Sequence, residues 1–500
     1  MPCMMGIDLG TSSLKTIIVD EAGTVRAQSS KVYQFDSPSI GYAEQDVEVW
    51  WSACCECIRG ALRDFDRPSS DVVAVSFSGQ MHGVVLLDDG LRTIRPAILH
   101  CDARSGKQVR HIKSVLAEAG LLESLLNPVY TGFLLPSLLW VRDNEPEGYG
   151  RVRHAILPKD YLKLKLCGEI VSDFSDASAT LAFDIRRGRW STEVLEALGV
   201  PKSIFPECSD SYRAIGAVTD EVARGTGLAA GTIVVNGGGD QTMQAIGNGV
   251  IRAGQATVNI GSSGQVCFQS DAPIENPELS TNTFCSYRLG KWLTMGATMT
   301  AGLSLKWFGR LFDDFDYARV DEMVRDVRPG SDGLIFLPYL NGERTPHANP
   351  DLSGMLLGLH LSTSRWAIAR SVMEGVAYSL MQCIEVCGGL GLKASELIAS
   401  GGGARSDVWL QIQSDVFGIP LKTAFIQEQA SLGAAITAGI GSGVFASLDE
   451  GCERVVRYSD RIFLPNEEAH EAYASYYRLY KDAYLAGGPV LQRATELGRA

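Results

Sequence analysis

Four short runs of small residues each follow an apolar run that is typical of a β-strand. They are Gly10–Ser13, Gly237–Asp240, Gly261–Gly264 and Gly401–Gly403. Small side chains let backbone N–H groups approach an anion closely, and a helix that follows adds the positive end of its dipole. One such run is usually only a turn, but four of them indicate that the protein handles phosphate groups.

Two aspartates adjoin these runs. Asp8 precedes the first run, and Asp240 ends the second run just before a helical pattern. Phosphoryl transfer needs a metal ligand near the phosphates and a base for the attacking hydroxyl, and Mg²⁺ prefers oxygen ligands. We therefore predict that Asp8 and Asp240 lie beside Mg²⁺ and that Asp240 is a catalytic base. The alternative for Asp240 is a helix N-cap, which contributes about 1 kcal/mol.

Two common nucleotide-binding fingerprints are absent from the sequence. Neither a G-x-x-x-x-G-K-[ST] motif nor a G-x-G-x-x-G motif occurs. A P-loop enzyme and a dehydrogenase with a Rossmann fold are therefore disfavoured.

The composition narrows the class of protein. The chain has 45 basic and 58 acidic side chains and a formal net charge of −13, whereas a nucleic-acid binder would show a basic footprint. No run reaches the ~18 apolar residues of a membrane span, and the N-terminus lacks the pattern of a secretory signal. We expect a cytoplasmic protein that binds neither nucleic acid nor membrane, with its 12 cysteines reduced.

The length and an internal repeat predict two domains. A chain of 500 residues exceeds the size at which one hydrophobic core stops growing. Ile7–Ser13 (IDLGTSS) also resembles Val258–Gly264 (VNIGSSG), and strand patterns alternate with helical patterns in both halves. We predict two α/β lobes related by duplication, with domains at residues 1–250 and 251–485 and a C-terminal tail at residues 486–500.

Local patterns predict the elements around these runs. Alternating apolar residues predict a hairpin over Met5–Asp20 and a buried strand at Val72–Ser78. Helical periodicity predicts helices at Val47–Asp64 and Ser364–Cys387 and a further helix from about Ser406. Residues 121–161 are expected to be largely helical, with breaks at Pro128, Pro136 and Pro158.

Four longer stretches resemble a known family. They are Gly79–Gly83 (GQMHG), Leu157–Leu162 (LPKDYL), Ser175–Ser178 (SDAS) and Leu337–His347 (LPYLNGERTPH). From about residue 5 to residue 480, the chain resembles the FGGY carbohydrate kinases. The resemblance implies an α/β fold of two ribonuclease-H-like (actin/hexokinase-type) lobes with a cleft between them, and a kinase that uses ATP and Mg²⁺.

The resemblance also implies roles for individual residues. Asp8 matches the metal-associated aspartate and Asp240 the base, while Met81, His82 and Gln241 would contact the sugar together with Asp240. The nucleotide and its phosphates would be bound by Gly10, Thr11, Ser12, Ser13, Lys15, Gly261, Ser262, Ser263, Gly302, Lys306, Gly402, Gly403 and Ser406.

Plainer interpretations stay open for several of these residues. Met81 and His82 are also consistent with core packing, and Lys306 with a solvated lysine on a helix. Glu343 and Arg344 favour an ion pair that holds a loop.

The resemblance further implies that the substrate is a ketopentose, D-xylulose, phosphorylated on O5. Four departures from the family pattern bear on this expectation: Gln241 replaces an Asn, His100 a Trp, Ser137 a Lys and Ala367 a polar residue. The first two lie near the expected sugar contacts. The alternatives are another sugar, polyol or aldonate (ribulose, an alditol or gluconate) and, outside the family, an actin-like ATPase switch. The expected partners are the sugar and ATP, and the expected assembly is a homodimer.

Overall fold

The first half of the chain is built around one sheet with helices on its faces. The computed structural model describes residues 1–312 and 315–499. The strands of this half are β1 (Cys3–Leu9), β2 (Ser13–Asp20), β3 (Val25–Val32), β4 (Glu44–Gln45), β5 (Val72–Gly79), β6 (Val85–Leu87), β7 (Ala97–Ile98), β8 (His154–Ile156), β9 (Val171–Asp173), β10 (Phe183–Asp184), β11 (Arg189–Trp190), β12 (Glu207–Ser209), β13 (Ala214–Ala217), β14 (Ile233–Val235) and β15 (Gly238–Gly239). The helices are α1 (Val47–Asp64), α2 (Gly106–Glu118), α3 (Leu134–Asn144), α4 (Pro146–Tyr149), α5 (Pro158–Cys167), α6 (Phe174–Ala177), α7 (Thr192–Ala197), α8 (Asp220–Thr226) and α9 (Asp240–Gly247).

The first sheet has the strand order β13-β14-β5-β1-β2-β3, and β15 pairs with the end of β5. Strands β1, β2 and β3 are antiparallel neighbours, whereas β5 runs parallel to β1, β14 and β15. Helix α1 begins after Asp46, whose side chain accepts a hydrogen bond from the N–H of Glu48. The predicted hairpin, the buried strand β5 and the predicted helix α1 are confirmed.

The second half repeats this arrangement. Its strands are β16 (Ala256–Ile260), β17 (Gly264–Ser270), β18 (Asn282–Cys285), β19 (Trp292–Thr298), β20 (Ile335–Leu337), β21 (Met355–Leu357), β22 (Leu397–Ser400), β23 (Leu421–Ala424) and β24 (Tyr458–Phe463). Its helices are α10 (Gly302–Gly309), α11 (Tyr317–Arg325), α12 (Arg365–Gly389), α13 (Asp407–Phe417), α14 (Gln429–Gly441), α15 (Leu448–Val455) and α16 (Glu467–Arg499). The second sheet has the order β18-β19-β17-β16-β22-β23-β24.

The first sheet joins three antiparallel strands to two parallel ones, and the second joins four antiparallel strands to two parallel ones. In the second sheet, β16 is antiparallel to β17 and parallel to β22, as β1 is to β2 and β5 in the first. Each sheet then ends on an antiparallel strand, β13 or β24. The shared topology confirms the predicted duplication and the two-lobed α/β fold.

Helix α14 comes from the second half but packs on the first sheet. It lies against β1, β5 and α9, and the hydroxyl oxygens of Ser76 and Thr437 are 2.9 Å apart across this contact. The backbones approach so closely that a Cβ on Gly433 would be 1.9 Å from the carbonyl oxygen of Met243. Helix α15 packs on α14. The first lobe is therefore completed by a segment that follows β23, and the domain limits by residue number stay a prediction.

Residues 121–161 differ from the predicted run of helix. Only α3, α4 and the start of α5 are α-helical there, and strand β8 lies between α4 and α5. Pro136 is tolerated in the first turn of α3, where its missing N–H has no helical partner to lose. Pro158 begins α5 instead of breaking a helix. Strand β8 forms because β6 offers an antiparallel partner, which local periodicity cannot indicate.

Helix α16 runs through the segment that was set apart as a C-terminal tail, and residue 500 lies outside the described residues.

All twelve cysteines are free thiols, and Cys54 and Cys57 are buried on α1. Across residues 1–312 and 315–499, no helix combines the length and the apolar character needed to cross a membrane.

Gly433→Ala is expected to destabilise the protein by about 2 kcal/mol or more, because the new methyl group would meet a main-chain oxygen that cannot rotate away. The matched control is Gly388→Ala in α12, where a Cβ meets nothing within 4 Å. Alanine is a better helix former than glycine, so the control is expected to be neutral or slightly stabilising. Thermal unfolding of both variants measures the difference, and equal midpoints would contradict the close packing of α14.

Candidate active site

The first sheet brings Asp8 and Asp240 to one edge. Asp8 is level with Ser78 in the parallel pair β1–β5, and Gly238 is level with Ser78 in the parallel pair β5–β15. Asp240 follows β15 directly. Because parallel strands end at the same edge of a sheet, the loop after β5 also starts here. The residues that the sequence separates by more than 230 positions thus share one site.

The two aspartates are electrostatically coupled. The Ser78 hydroxyl donates a hydrogen bond of 2.7 Å to Asp8 Oδ1. Desolvation raises the pKa of Asp8, and desolvation together with the charge of Asp8 raises the pKa of Asp240 to about 7. A divalent cation would relieve this repulsion, and two carboxylates supply the oxygen donors that Mg²⁺ prefers. The described residues hold no cluster of three or more His, Cys, Asp or Glu side chains suited to a metal, so a Mg²⁺ ion here would need phosphate and water oxygens as well.

The N-cap interpretation of Asp240 is wrong. The N-cap of α9 is Gly239, and Asp240 is the first helical residue. A carboxylate in the first turn of a helix is stabilised by the helix dipole. The Asp240 carboxylate also accepts hydrogen bonds from the backbone and the side chain of Gln241, and these bonds partly offset the rise in its pKa.

His82 lies in the loop after β5 in a strained backbone conformation, with φ of 74°. Its Nδ1 is 2.8 Å from the carbonyl oxygen of Ala179, and its ring stacks on Phe133 with centroids 4.0 Å apart. A carbonyl only accepts, so Nδ1 carries the proton and Nε2 is left as an acceptor. Desolvation lowers the pKa of His82 to about 3, which keeps the ring neutral.

Met81 and Gln241 lie on either side of the turn that carries Asp240. Met81 is buried in a small apolar cluster with residues of β17, β18 and β19, and a Cβ on Gly239 would be 2.8 Å from Met81 Cγ. Gln241 follows Asp240 in α9, and its Oε1 is 3.7 Å from Cys267 Sγ. The packing of Met81 supports the core interpretation, while the half-buried Gln241 bonds to the Asp240 carboxylate.

Arg344 and His100 lie close enough to His82 for their charges to lower its pKa, and Tyr130 lies beside Arg344. The ring of Tyr130 lies 5.8 Å from the Arg344 guanidinium. The charge of Arg344 adds to desolvation in lowering the pKa of His82 and of His100, the latter to about 4. His100 Nδ1 is buried without a hydrogen-bond partner in the described part of the chain. The departure of His100 from the family pattern was the one sequence signal that pointed to this group of side chains.

The predicted ion pair between Glu343 and Arg344 is wrong. Glu343 accepts hydrogen bonds from the Thr298 and Ser379 hydroxyls, at 2.6 Å and 3.2 Å. It also accepts hydrogen bonds from the backbone N–H groups of Met299 and Arg344. Desolvation raises the pKa of Glu343 to about 7. The carboxyl group thus holds β19 to the loop after β20, and the Arg344 side chain is directed toward His82 and Tyr130 instead.

The first small-residue turn, Gly10–Ser13, joins β1 to β2. The N–H of Gly10 bonds to Ser13 O at 3.0 Å, and the Tyr33 hydroxyl donates to Gly10 O at 2.6 Å. The N–H of Tyr33 bonds to Ser12 O, and Thr11 Oγ1 lies 3.4 Å from Gln80 Oε1. Tyr33 therefore holds the backbone of the turn, and Thr11 links the turn to the loop that carries His82.

Lys15 forms a 2.7 Å ion pair with Glu428, just before α14. The pair is about two-fifths and one-third exposed, so we assign it little stabilising energy. The charge of Lys15 also lowers the pKa of Asp8, and both members of the pair line a cavity of about 480 Å³.

The turn Gly261–Gly264 joins β16 to β17 in the second lobe. The N–H of Gly261 bonds to Ser263 O, and the N–H groups of Ala301 and Gly302 bond to Ser262 O and Gly261 O, all at 2.9 Å. Gly302 thus lies against the turn, as the start of α10. Lys306 is exposed one turn further along α10.

The turn Gly401–Gly403 follows β22 and lines the cavity together with Lys15, Arg405, Glu428 and Arg461. Ser406 is the N-cap of α13 and accepts a hydrogen bond from the N–H of Trp409. The Ser406 hydroxyl also donates to Asp321 Oδ1 at 2.7 Å. Gly402 borders the open cavity, whereas Gly403 is buried and Ser406 is engaged in holding α13.

Comparison with known proteins identifies the class. The family model for the N-terminal domain of the FGGY family of carbohydrate kinases matches residues 3–247, and that for its C-terminal domain matches residues 256–442. The chain therefore belongs to the FGGY family of carbohydrate kinases. This membership separates it from actin-like ATPase switches and confirms the resemblance found in the sequence.

Proteins that this chain resembles carry more than one substrate name. The chain is similar to the xylulose kinase of Bacillus subtilis (strain 168), with 35% identity over 97% of each protein. It is also similar to the solved structure of xylulose kinase from Rhodospirillum rubrum, with a TM-score of 0.89 and 28% identity over 98% of this chain and 99% of that chain. Gluconate kinase from Lactobacillus acidophilus has a TM-score of 0.92 at 24% identity, over 98% and 99% of the two chains. The fold alone thus does not select the substrate.

Asp240→Asn is expected to raise the thermal midpoint of the protein without ligands, and the gain should depend on pH. The carboxyl pKa is about 7 in the folded state and 3.8 when unperturbed. Between these values the folded protein binds more protons than the unfolded chain, so the free energy of unfolding falls as pH rises. Asparagine carries no charge and avoids this loss.

Unfolding from pH 4 to pH 8 in a metal chelator measures the effect. The gain should be largest above pH 7 and should vanish close to pH 3.8. An equal gain at every pH would contradict the raised pKa.

Proposed function

We propose that the protein transfers the γ-phosphoryl group of Mg·ATP to D-xylulose and forms D-xylulose 5-phosphate. The observation that carries this proposal is the 35% identity to a xylulose kinase over 97% of both chains, combined with the coupled carboxylates Asp8 and Asp240 at one sheet edge. The identity supports the substrate, and the carboxylates support the chemistry.

Asp240 is the proposed base. When its carboxylate is ionised, it accepts the proton of the terminal sugar hydroxyl as that oxygen attacks the γ-phosphorus. Without Mg²⁺ the pKa of Asp240 is raised to about 7, and a bound cation would lower it and so favour the ionised carboxylate that accepts the proton. His82 Nε2 accepts a hydrogen bond from another sugar hydroxyl, and the neutral ring avoids placing a positive charge near Asp240.

ATP is proposed to bind in the cavity beside Gly401–Gly403. Its volume of about 480 Å³ suits a small-molecule ligand, and Arg405 and Arg461 supply positive charge at its wall. The turns Gly10–Ser13 and Gly261–Gly264 would offer N–H groups to the phosphates. Asp8, with Asp240, would hold Mg²⁺, which when bound neutralises charge on the β- and γ-phosphates. Lys15 would exchange its bond to Glu428 for a phosphate oxygen.

We also propose a cytoplasmic location, which the twelve free thiols support because thiols persist in reducing compartments. A homodimer stays a prediction.

A panel of acceptors tests the substrate. ADP release is measured with Mg·ATP and D-xylulose, D-ribulose, L-ribulose, xylitol, arabinitol, glycerol or gluconate, and without any acceptor. We expect the highest kcat/KM with D-xylulose. A clear preference for another acceptor would overturn the assignment of D-xylulose as the substrate. His100 and Gln241 would then be the first residues to test as the cause of the different specificity. Equal release with and without every acceptor would overturn the kinase reaction.

Asp240→Ala tests the base. Loss of general base catalysis is expected to lower kcat by about 10²–10⁴-fold, while the Kd for ATP measured without Mg²⁺ and without sugar changes little because Asp240 does not line the cavity. Asp89→Ala, an exposed loop aspartate, is the matched control and should keep full turnover. Steady-state kinetics and ATP titration measure both effects. Turnover by Asp240→Ala within a few-fold of the parent would contradict the assignment.

A further inference from the structure

Five charged side chains are buried together behind the turn that carries Asp240. They are Lys159, Asp160, Lys163, Asp173 and Asp176, and each side chain is 0% exposed. Lys159 Nζ lies 2.9 Å from Asp160, 2.6 Å from Asp173 and 2.8 Å from Asp176. Lys163 Nζ lies 2.8 Å from Asp160. We call this group the buried charge cluster.

The cluster balances its own charge. Burial and the neighbouring aspartates raise the pKa of Asp176 to about 8, against the lowering effect of Lys159. Asp176 is therefore protonated near neutral pH, which lowers the negative charge that the two lysines must balance. Charges in a low-dielectric interior are tolerated only when they are paired and hydrogen-bonded in this way. Such a cluster often contributes no net stability, so its position in the fold calls for another reason.

One arm of the cluster ends on the backbone of the turn. Lys159 is paired with Asp173 Oδ2, and Asp173 Oδ1 accepts a short hydrogen bond from the Ser175 hydroxyl. The Ser175 oxygen in turn accepts the N–H of Gly239 at 2.9 Å. Gly239 is the residue directly before Asp240 and the N-cap of α9. Three contacts thus connect Lys159 to the backbone of Gly239, next to Asp240.

A second arm holds the other end of the same turn. Lys163 Nζ donates to Asn236 Oδ1 at 2.5 Å, and Asn236 Nδ2 donates to Ser172 O at 2.8 Å. Asn236 follows β14 and precedes Gly237. Because Asp160 bonds to both lysines, the two ends of the turn are tied to one carboxylate.

The cluster also supports the loop that leads to His82. A Cβ on Gly79, the last residue of β5, would lie 2.6 Å from Lys159 Cβ. The lysine therefore lies directly beneath the start of Gly79–His82. Lys159 is thus linked through Asp173 and Ser175 to the turn that carries Asp240, and its own Cβ packs against the start of the loop that carries His82.

We propose that the buried charge cluster positions Asp240 relative to the acceptor hydroxyl, with Ser175 as the positioning residue that passes this constraint to the backbone of the turn. The inference rests on the proposed role of Asp240 as base. A general base must lie within hydrogen-bond distance of the proton that it accepts, and a misplacement of about 1 Å can lower the rate by about 10²-fold. Bonds at both ends of a glycine-rich turn restrict such displacement.

Ser175→Ala tests the proposal because it removes the bonded hydroxyl and leaves all five charges in place. Its matched control is Thr226→Val in α8, which removes another fully buried hydroxyl that donates to one backbone carbonyl, at 2.7 Å, and accepts from one backbone N–H, at 3.3 Å. Asp240→Ala is measured alongside. The sugar-dependent release of ADP from Mg·ATP with D-xylulose gives kcat and both KM values, and thermal unfolding gives the midpoints.

We expect Ser175→Ala to lower kcat by about 10-fold or more, with both KM values within about twofold of the parent. Thr226→Val is expected to keep its kcat at a similar loss of midpoint. A Ser175→Ala kcat within twofold of the parent, with Asp240→Ala inactive, would overturn the positioning role alone. A fall in kcat shared by Thr226→Val, or raised KM values for both substrates, would also overturn it. Full turnover by Asp240→Ala would instead overturn the proposed base, and no sugar-dependent release by the parent would overturn the proposed function.

Discussion

The repulsion between Asp8 and Asp240 is the constraint around which the first lobe is organised. Two desolvated carboxylates at neighbouring strand ends raise the pKa of the second to about 7, and unliganded protein must hold them there at a cost. The parallel pairing of β1, β5 and β15 brings them to the same edge. The Ser78 hydroxyl and the N-terminus of α9 offset part of the repulsion. A cation and a proton acceptor are both useful at such a place, which is why the same geometry suits phosphoryl transfer.

Around this pair, some supports act on the carboxylates, as Ser78 does on Asp8 and Gln241 on Asp240, and others act on the backbone of the turns. Tyr33 holds the Gly10–Ser13 turn, and Ser175 and Asn236 hold the Gly237–Asp240 turn. Glu343 performs a similar task in the second lobe, where it joins β19 to the loop of Arg344. The turns that carry the reacting groups are thus fixed by side chains of neighbouring elements.

The two lobes are connected more closely than a simple duplication requires. The chain passes from the first lobe to the second near residue 250, returns after β23 to place α14 on the first sheet, and passes back before β24. The chain therefore passes between the two lobes three times. The Lys15–Glu428 pair lies next to one of these crossings and lines the cavity. A ligand that competes for Lys15 acts directly beside a connection between the lobes.

The sequence by itself determined the class of fold, the duplication, the small-residue turns and the two aspartates, together with α1, β5 and α12. These features depend on local periodicity and on residue types that only a few conformations accept, so a single sequence reveals them. Tertiary structure alone decided where α14 packs, why β8 interrupts a helical region and which partners Glu343 takes. It also decided that Lys159 and Lys163 are buried. Their motif has the polarity of a helix surface, and only long-range pairing with Asp173, Asp176 and Asn236 supplies the partners that allow those charges to leave water.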